Sequence, residues 1–151
     1  VQDAPPSCPL LVGIDVGGTK THLRALAGDE TVADHVRASS GWRPHDTDAA
    51  ARWLADLVSE ALPPGASPSA VAVGAHACET PRQCADIRTA LRDLLGVPAS
   101  IVGDAELLVP AAGLDQGVGL VAGTGSVAVG RLADGSAVQV GGWGAVLGDE
   151  R

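Results

Sequence analysis

The chain has 151 residues, 46% of them hydrophobic, enough for one ordinary domain or for one domain and the start of another. It has no Phe, Tyr or Met and only three Trp, so Val, Leu, Ile and Ala must fill the core, a composition suited to a buried sheet under small-residue helices. A formal net charge of −8 argues against a nucleic-acid partner, whose phosphates call for clustered Lys and Arg, and no run reaches the ~18 apolar residues of a membrane span.

Val1 to Pro9 is short, polar and rich in proline, and reads as a disordered leader or a trimmed end. Residues 10 to 16 form a near-continuous apolar strand, Thr21 to Ala27 the returning one, and Gly28-Asp29-Glu30 turns into a third strand at Thr31 to Ala38. After a loop at Ser39 to Pro44, a helix from Thr47 carries Ala50, Trp53, Leu54, Leu57, Val58 and Ala61 on one face, until Pro63-Pro64-Gly65 stops it. Ala70 to Gly74 is a short buried strand. Thr80 and Pro81 are an N-cap and first-turn pair for a second helix with the face Cys84, Ile87, Leu91 and Leu94, closed by Gly96.

Ser100 to Gly103 is again a strand, and Asp104 stands where it gives way to a third helix, which Pro110 kinks or shortens. The order of three strands, helix, strand, helix, strand, helix is complete by about Gly113. It then restarts: Gly117 to Ala122 is a strand, Gly123-Thr124-Gly125 its turn, Val127 to Leu132 the return, Ala137 to Gly141 a third strand. The two glycine turns make a weak internal repeat of β-turn-β units.

Each turn exposes backbone N–H groups without side-chain obstruction, as a phosphate requires. In the first, Gly17-Gly18-Thr19-Lys20, the neighbouring Asp15 would repel a bare phosphate, so a hard cation must lie between them, and Mg²⁺ is the usual one. A nucleoside triphosphate is the implied ligand. The second turn also fits a dinucleotide fingerprint, but Val127 to Leu132 makes a poor helix and a fair strand, which favours β-turn-β. Asp104, at the C-terminal end of a buried strand, stands over the crevice where α/β sheets bind ligands. Its alternative role is an N-cap. His76, Cys78 and Cys84 match no common zinc spacing. Three cysteines cannot all pair within one chain, and with no signal-peptide pattern before them, reduced thiols in the cytoplasm are the simplest reading.

Leu11 to Leu26 resembles the first phosphate motif of the actin, Hsp70 and sugar-kinase superfamily, and Ala122 to Ser126 its second. Val102-Gly103-Asp104-Ala105 resembles the segment with the catalytic aspartate of its sugar kinases, and Gly141 to Glu150 the Gly-Gly-Trp-Gly and Gly-Asp-Glu signature of the N-acetylglucosamine kinase branch, grouped with BadF/BadG-type ATPases. Four motifs stand in the family's order. The resemblance implies an α/β fold: a three-layer α/β/α ribonuclease-H-like (actin-like ATPase) domain at 10–114, then the first strands of a second such domain at 115–151.

It further implies ATP-dependent phosphorylation of a hexosamine at its 6-hydroxyl, N-acetylglucosamine foremost. Asp104 would be the general base and Asp15 would position Mg²⁺ through water. Gly17, Gly18, Thr19 and Lys20 would bind the nucleotide from one side and Gly123, Thr124, Gly125 and Ser126 from the other. Sugar contacts would come from Gly142, Asp149, Thr124 and Asp104, with Trp42 closing the pocket. Trp143 is a further sugar platform; Trp53, on a helix's apolar face, is not. Gly41 replaces the family's polar residue before Trp42, which leaves the sugar's 2-substituent open. The alternative class is a non-catalytic sugar-sensing ATPase module. A homodimer is expected of a full-length protein, inactivity of the present chain alone, and self-association through the uncovered strands at 117–141.

Overall fold

The computed structural model describes residues 8–122 and 126–142. The chain order is β1 (Leu10–Val16), β2 (Lys20–Ala27), β3 (Glu30–Ala38), α1 (Thr47–Ala61), β4 (Ala70–Ala75), α2 (Pro81–Leu95), β5 (Ala99–Gly103), a 3₁₀ turn (Asp104–Leu107), α3 (Leu108–Ala111), β6 (Gly117–Ala122), β7 (Ser126–Arg131) and β8 (Ala137–Gly141). β1 to β5 form one sheet in the order β3-β2-β1-β4-β5, and β6 to β8 a second in the order β6-β7-β8. β1, β2 and β3 run antiparallel, while β4 and β5 are parallel to β1, so the C-terminal ends of β1, β4 and β5 share one edge of the sheet.

Local chemistry sets the helix ends where the sequence puts them. Asp46 Oδ1 accepts from the Ala49 N–H at 3.0 Å and caps α1; Thr80 Oγ1 accepts from the Gln83 N–H at 3.2 Å, with Pro81 in the first turn of α2. Gly96, at φ 69, closes α2 in the left-handed conformation that a side chain would disfavour. The core lies between the five-stranded sheet and the two long helices: Val12, Ile14, Val16, Leu23, Val71 and Val73 meet Leu54, Leu57, Ile87 and Leu91, all of them buried. Each such side chain contributes about 1.5–3 kcal/mol of hydrophobic stabilisation. Leu94, expected on the buried face of α2, is instead 53% exposed. In that last turn the face passes from Leu91 to Leu95, which packs against the core, and Leu94 points to the side of it.

On the opposite face of the sheet, where Leu11, Gly13 and Ala72 stay exposed, the 3₁₀ turn meets β4. A Cβ placed on Gly74 of β4 would lie 2.0 Å from Leu107 Cδ1, so the leucine seats directly on the glycine backbone. Leu108, the next residue, sits on the second sheet: a Cβ on Gly119 would meet its Cβ at 2.5 Å. The expected third helix is thus one 3₁₀ turn and one α turn, cut short at Pro110, and its two adjacent leucines hold the two sheets together. The strand expected after Gly125 is present as β7, with no helix at that point among the described residues.

Candidate active site

Three strand ends build the site. Asp15 is the penultimate residue of β1, His76 follows the last residue of β4, and Asp104 follows the last residue of β5. The pairings Asp15 with Gly74, Val16 with Ala75 and Ala75 with Gly103 bring these positions to one edge. Carboxylates at the C-terminal edge of parallel strands stand where ligands enter α/β sheets.

The first glycine turn is tight. The Gly17 N–H donates to the Lys20 carbonyl at 3.0 Å, and a Cβ on Gly17 would come within 2.9 Å of that same oxygen. The Gly17 amide is therefore spent on the turn, contrary to its expected availability, and the amides that remain open to a phosphate are those of Gly18 and Thr19. The turn is anchored from below, where the Ser39 N–H donates to the Thr19 carbonyl at 3.0 Å and the buried Thr21 and Ser39 hydroxyls pair at 2.9 Å. Asp15, Gly18, Thr19 and Lys20 are all exposed beside it.

Asp104 is half-buried. Its Oδ1 accepts from the Ala105 N–H at 2.8 Å, and its Oδ2 lies 3.4 Å from His76 Nδ1. The carboxylate opens on a cavity of about 260 Å³, lined also by His76, Val127, Gln139 and Gly142. Two expected site residues from different sheets, Asp104 and Gly142, thus face one space. Gly142 has φ 79 and donates its N–H to the Ser126 carbonyl at 2.8 Å, which ties it to the strand after the second glycine turn. Gly123, Thr124, Gly125, Trp143 and Asp149 lie outside the described residues.

Trp42 is placed differently from a sugar platform. Its indole packs partly against the core, tilted 55° to the Trp53 ring at 5.6 Å, and its Nε1–H donates to the His76 carbonyl at 2.9 Å. It is absent from the lining of the Asp104 cavity. Gly41, at φ 128, lets the loop approach Trp53, whose Nε1 would lie 3.0 Å from an added Cβ. Trp53 keeps its expected packing role, with the Arg37 guanidinium 4.2 Å above its ring.

Two residues that sequence reasoning passed over shape the site. Gln83 donates through Nε2 to the Pro44 carbonyl at 2.8 Å and to the Ala77 carbonyl at 3.3 Å, while its Oε1 accepts from the Glu79 N–H at 3.1 Å. One side chain thereby joins the loop after β3 to the loop after β4. Gln139 of β8 supplies an amide to the cavity wall. No motif marks either one: Gln83 lies in the first turn of α2 and Gln139 in the middle of β8, places that many glutamines share. Cys78 and Cys84 are buried free thiols. A hydrogen bond with Cys84, then burial, pushes the Cys78 thiol far above its ordinary value, so it keeps its proton. Among the described residues no three His, Cys, Asp or Glu side chains converge as a metal cage.

No family model matches the chain. In sequence it is similar to the N-acetylmuramic acid/N-acetylglucosamine kinase of Clostridium acetobutylicum, 32% identical over 149 residues, which cover 93% of this chain and 48% of the relative. In structure it is similar to a provisionally named N-acetylglucosamine kinase from Chromobacterium violaceum, with a TM-score of 0.71 and 28% identity over 96% of this chain and 53% of that one. The ROK hexokinase from Thermus thermophilus shares the fold at a TM-score of 0.62 and 21% identity, over 80% of this chain and 45% of the other. The chain spans about half the length of the relatives it matches.

The fold is that of the actin-like ATPases, ribonuclease-H-like and α/β. In sequence the chain is similar to kinases named for N-acetylglucosamine, over about half of their length.

Proposed function

We propose that this chain carries the acceptor-activating part of an ATP-dependent sugar kinase that phosphorylates the 6-hydroxyl of a hexosamine, with N-acetylglucosamine the leading candidate. The observation that carries the reading is Asp104, at the C-terminal edge of a parallel strand and facing a cavity shared with Gly142 of the second sheet. Homology to sugar kinases supports it.

In this mechanism a sugar hydroxyl in the cavity gives its proton to Asp104 while its oxygen attacks the γ-phosphorus of ATP. The new O–P bond forms as the bond from the γ-phosphorus to the β–γ bridging oxygen breaks, and ADP leaves with that electron pair. One Asp104 oxygen is held by the Ala105 amide and the other lies 3.4 Å from His76 Nδ1, which narrows the directions open to its remaining lone pairs. The Gly18 and Thr19 amides would cradle phosphate oxygens from the first turn, with Gly123 to Ser126 opposite. Lys20, exposed at the start of β2, is free to add its charge. The exposed Asp15 carboxylate beside the open turn suits Mg²⁺, which prefers a few carboxylate and phosphate oxygens and keeps several waters. When bound there, Mg²⁺ would offset charge on the phosphates.

Asp149 and Thr124 complete the proposed sugar contacts, and Trp42 acts through the loop it clamps. The three free thiols support a cytoplasmic setting, because unpaired cysteines persist in reducing compartments, and the described helices include none long and apolar enough to cross a membrane. We assign the protein a homodimeric state as well, to be read from sedimentation.

The test is transfer of labelled phosphate from ATP to N-acetylglucosamine, measured in this chain and in the chain extended to the length of its relatives. Asp104→Asn, an isosteric change, should lower turnover about 10²-fold or more while leaving ATP affinity nearly unchanged. Unaltered turnover in that variant would remove Asp104 from the role of base. ATP hydrolysis indifferent to hexosamine would favour a sensing module.

A further inference from the structure

His76 has no part in the motifs, yet the structure holds it from several sides. Its N–H donates to the Val16 carbonyl at 2.8 Å, which ties it to the strand of Asp15. Its carbonyl accepts from Trp42 Nε1 at 2.9 Å, which ties it to the loop after β3. The next residue, Ala77, has φ 60, a left-handed conformation that costs a residue with a Cβ about 1 kcal/mol or more and persists where the surroundings impose it. Gln83 grips the Ala77 carbonyl at 3.3 Å.

That backbone sends the imidazole across the crevice. Nδ1 stands 3.4 Å from Asp104 Oδ2, within ion-pair range, and a Cβ built on Gly18 would lie 3.5 Å from Nε2. One ring therefore faces the carboxylate with one nitrogen and the first glycine turn with the other. The second carboxylate oxygen is already fixed by the Ala105 amide at 2.8 Å.

We propose that His76 is the positioning residue of Asp104: its Nδ1–H restrains Oδ2 while the ring's other edge packs on Gly18, so that the carboxylate and the phosphate turn keep one separation. The inference rests on the reading of Asp104 as the base, although the pairing itself does not. Trp42, on this account, serves the site by clamping the His76 main chain.

Long-range proton–nitrogen NMR of the 151-residue chain tests the pairing without any enzymatic activity. The neutral His76 ring should carry its proton on Nδ1, because the carboxylate needs a donor there. Asp104→Asn should shift the His76 ring nitrogens and leave those of His35 and His45 in place. A His76 ring protonated on Nε2, with signals indifferent to Asp104→Asn, would overturn the proposal.

A second arm reads catalysis in the chain extended to the length of its relatives. His76→Ala should lower kcat about tenfold or more through misplacement of the base, with the KM for ATP nearly unchanged. His76→Asn, whose amide nitrogen takes the place of Nδ1, should recover most of that loss; His76→Gln, which reaches toward the Nε2 position, should not. Equal rates for the Ala and Asn variants would count against a positioning role. Absence of phosphotransfer in the unmodified protein, with the NMR pairing present, would count against the kinase reading and not against the pairing.

Discussion

In the five-stranded sheet one apolar face has helices to meet it: Val12, Ile14, Val16, Leu23, Val71 and Val73 lie under α1 and α2 at no more than 3% exposure. The three-stranded sheet alternates in the same way, yet Val118, Leu120, Val138 and Val140 stand 52–78% exposed. The register Val118–Gly130–Val138 and Leu120–Ala128–Val140 puts all four on one face. On the other face Val129 is buried at 1% against the first region. Similar strand chemistry thus has opposite outcomes, because alternation decides which side chains share a face, and only a covering layer decides whether that face leaves water.

The sharpest way to break this contrast is to remove the same number of atoms from each region. Leu54→Ala, in the fully buried face of α1, should cost about 2–5 kcal/mol in urea unfolding, through lost transfer energy and the cavity left behind. Leu120→Ala, on the open face, should stay within about 0.5 kcal/mol. A comparable loss at both positions would show that the face of β6 and β8 is covered in solution.

The junction between the regions comes next in size. Gly74→Ala places a methyl 2.0 Å from Leu107 Cδ1, and Gly119→Ala places one 2.5 Å from Leu108 Cβ. Each should destabilise by about 1–3 kcal/mol by overpacking, as followed by thermal unfolding. The Gly74 variant should also disturb the NMR signals of the Asp104 segment, since Leu107 ends the turn that Asp104 begins. A silent Gly74→Ala would mean that Leu107 does not seat on β4.

The smallest energetic effect, and the most visible in solution, concerns the open face itself. Sedimentation of the 151-residue chain should show association that grows with concentration, and Leu120→Thr combined with Val140→Thr should weaken it. A strictly monomeric, well-folded chain at all concentrations would show that the face has found cover within the molecule.

Much of the first region was legible because its signals are local. The Thr80 cap, the Pro81 first turn and the Gly96 stop act within one helical turn of their own positions, and the structure has them where the sequence puts them. The strand reading after Gly125 held because Val-rich residues favour a pleated, half-buried surface. Leu94 was misjudged for the converse reason. Helical spacing names a face only to within a residue, and packing decides its edge: at the end of α2 Leu95 packs against the core and Leu94 beside it does not.

The candidate site divides along the same line. Sequence by itself placed Asp15 and Asp104 at strand ends and glycines in a turn, since apolar runs, breakers and carboxylates are read residue by residue. Tertiary structure alone decided that β1, β4 and β5 lie side by side in parallel, which brings Asp15, His76 and Asp104 to one edge from distant parts of the chain. It also turned the Trp42 indole onto the His76 carbonyl and spent the Gly17 amide on Lys20. Hydrogen bonds of that kind depend on which loops meet. No spacing along the chain encodes the meeting, because it is fixed by the packing of two helices and a short turn against the two faces of a sheet.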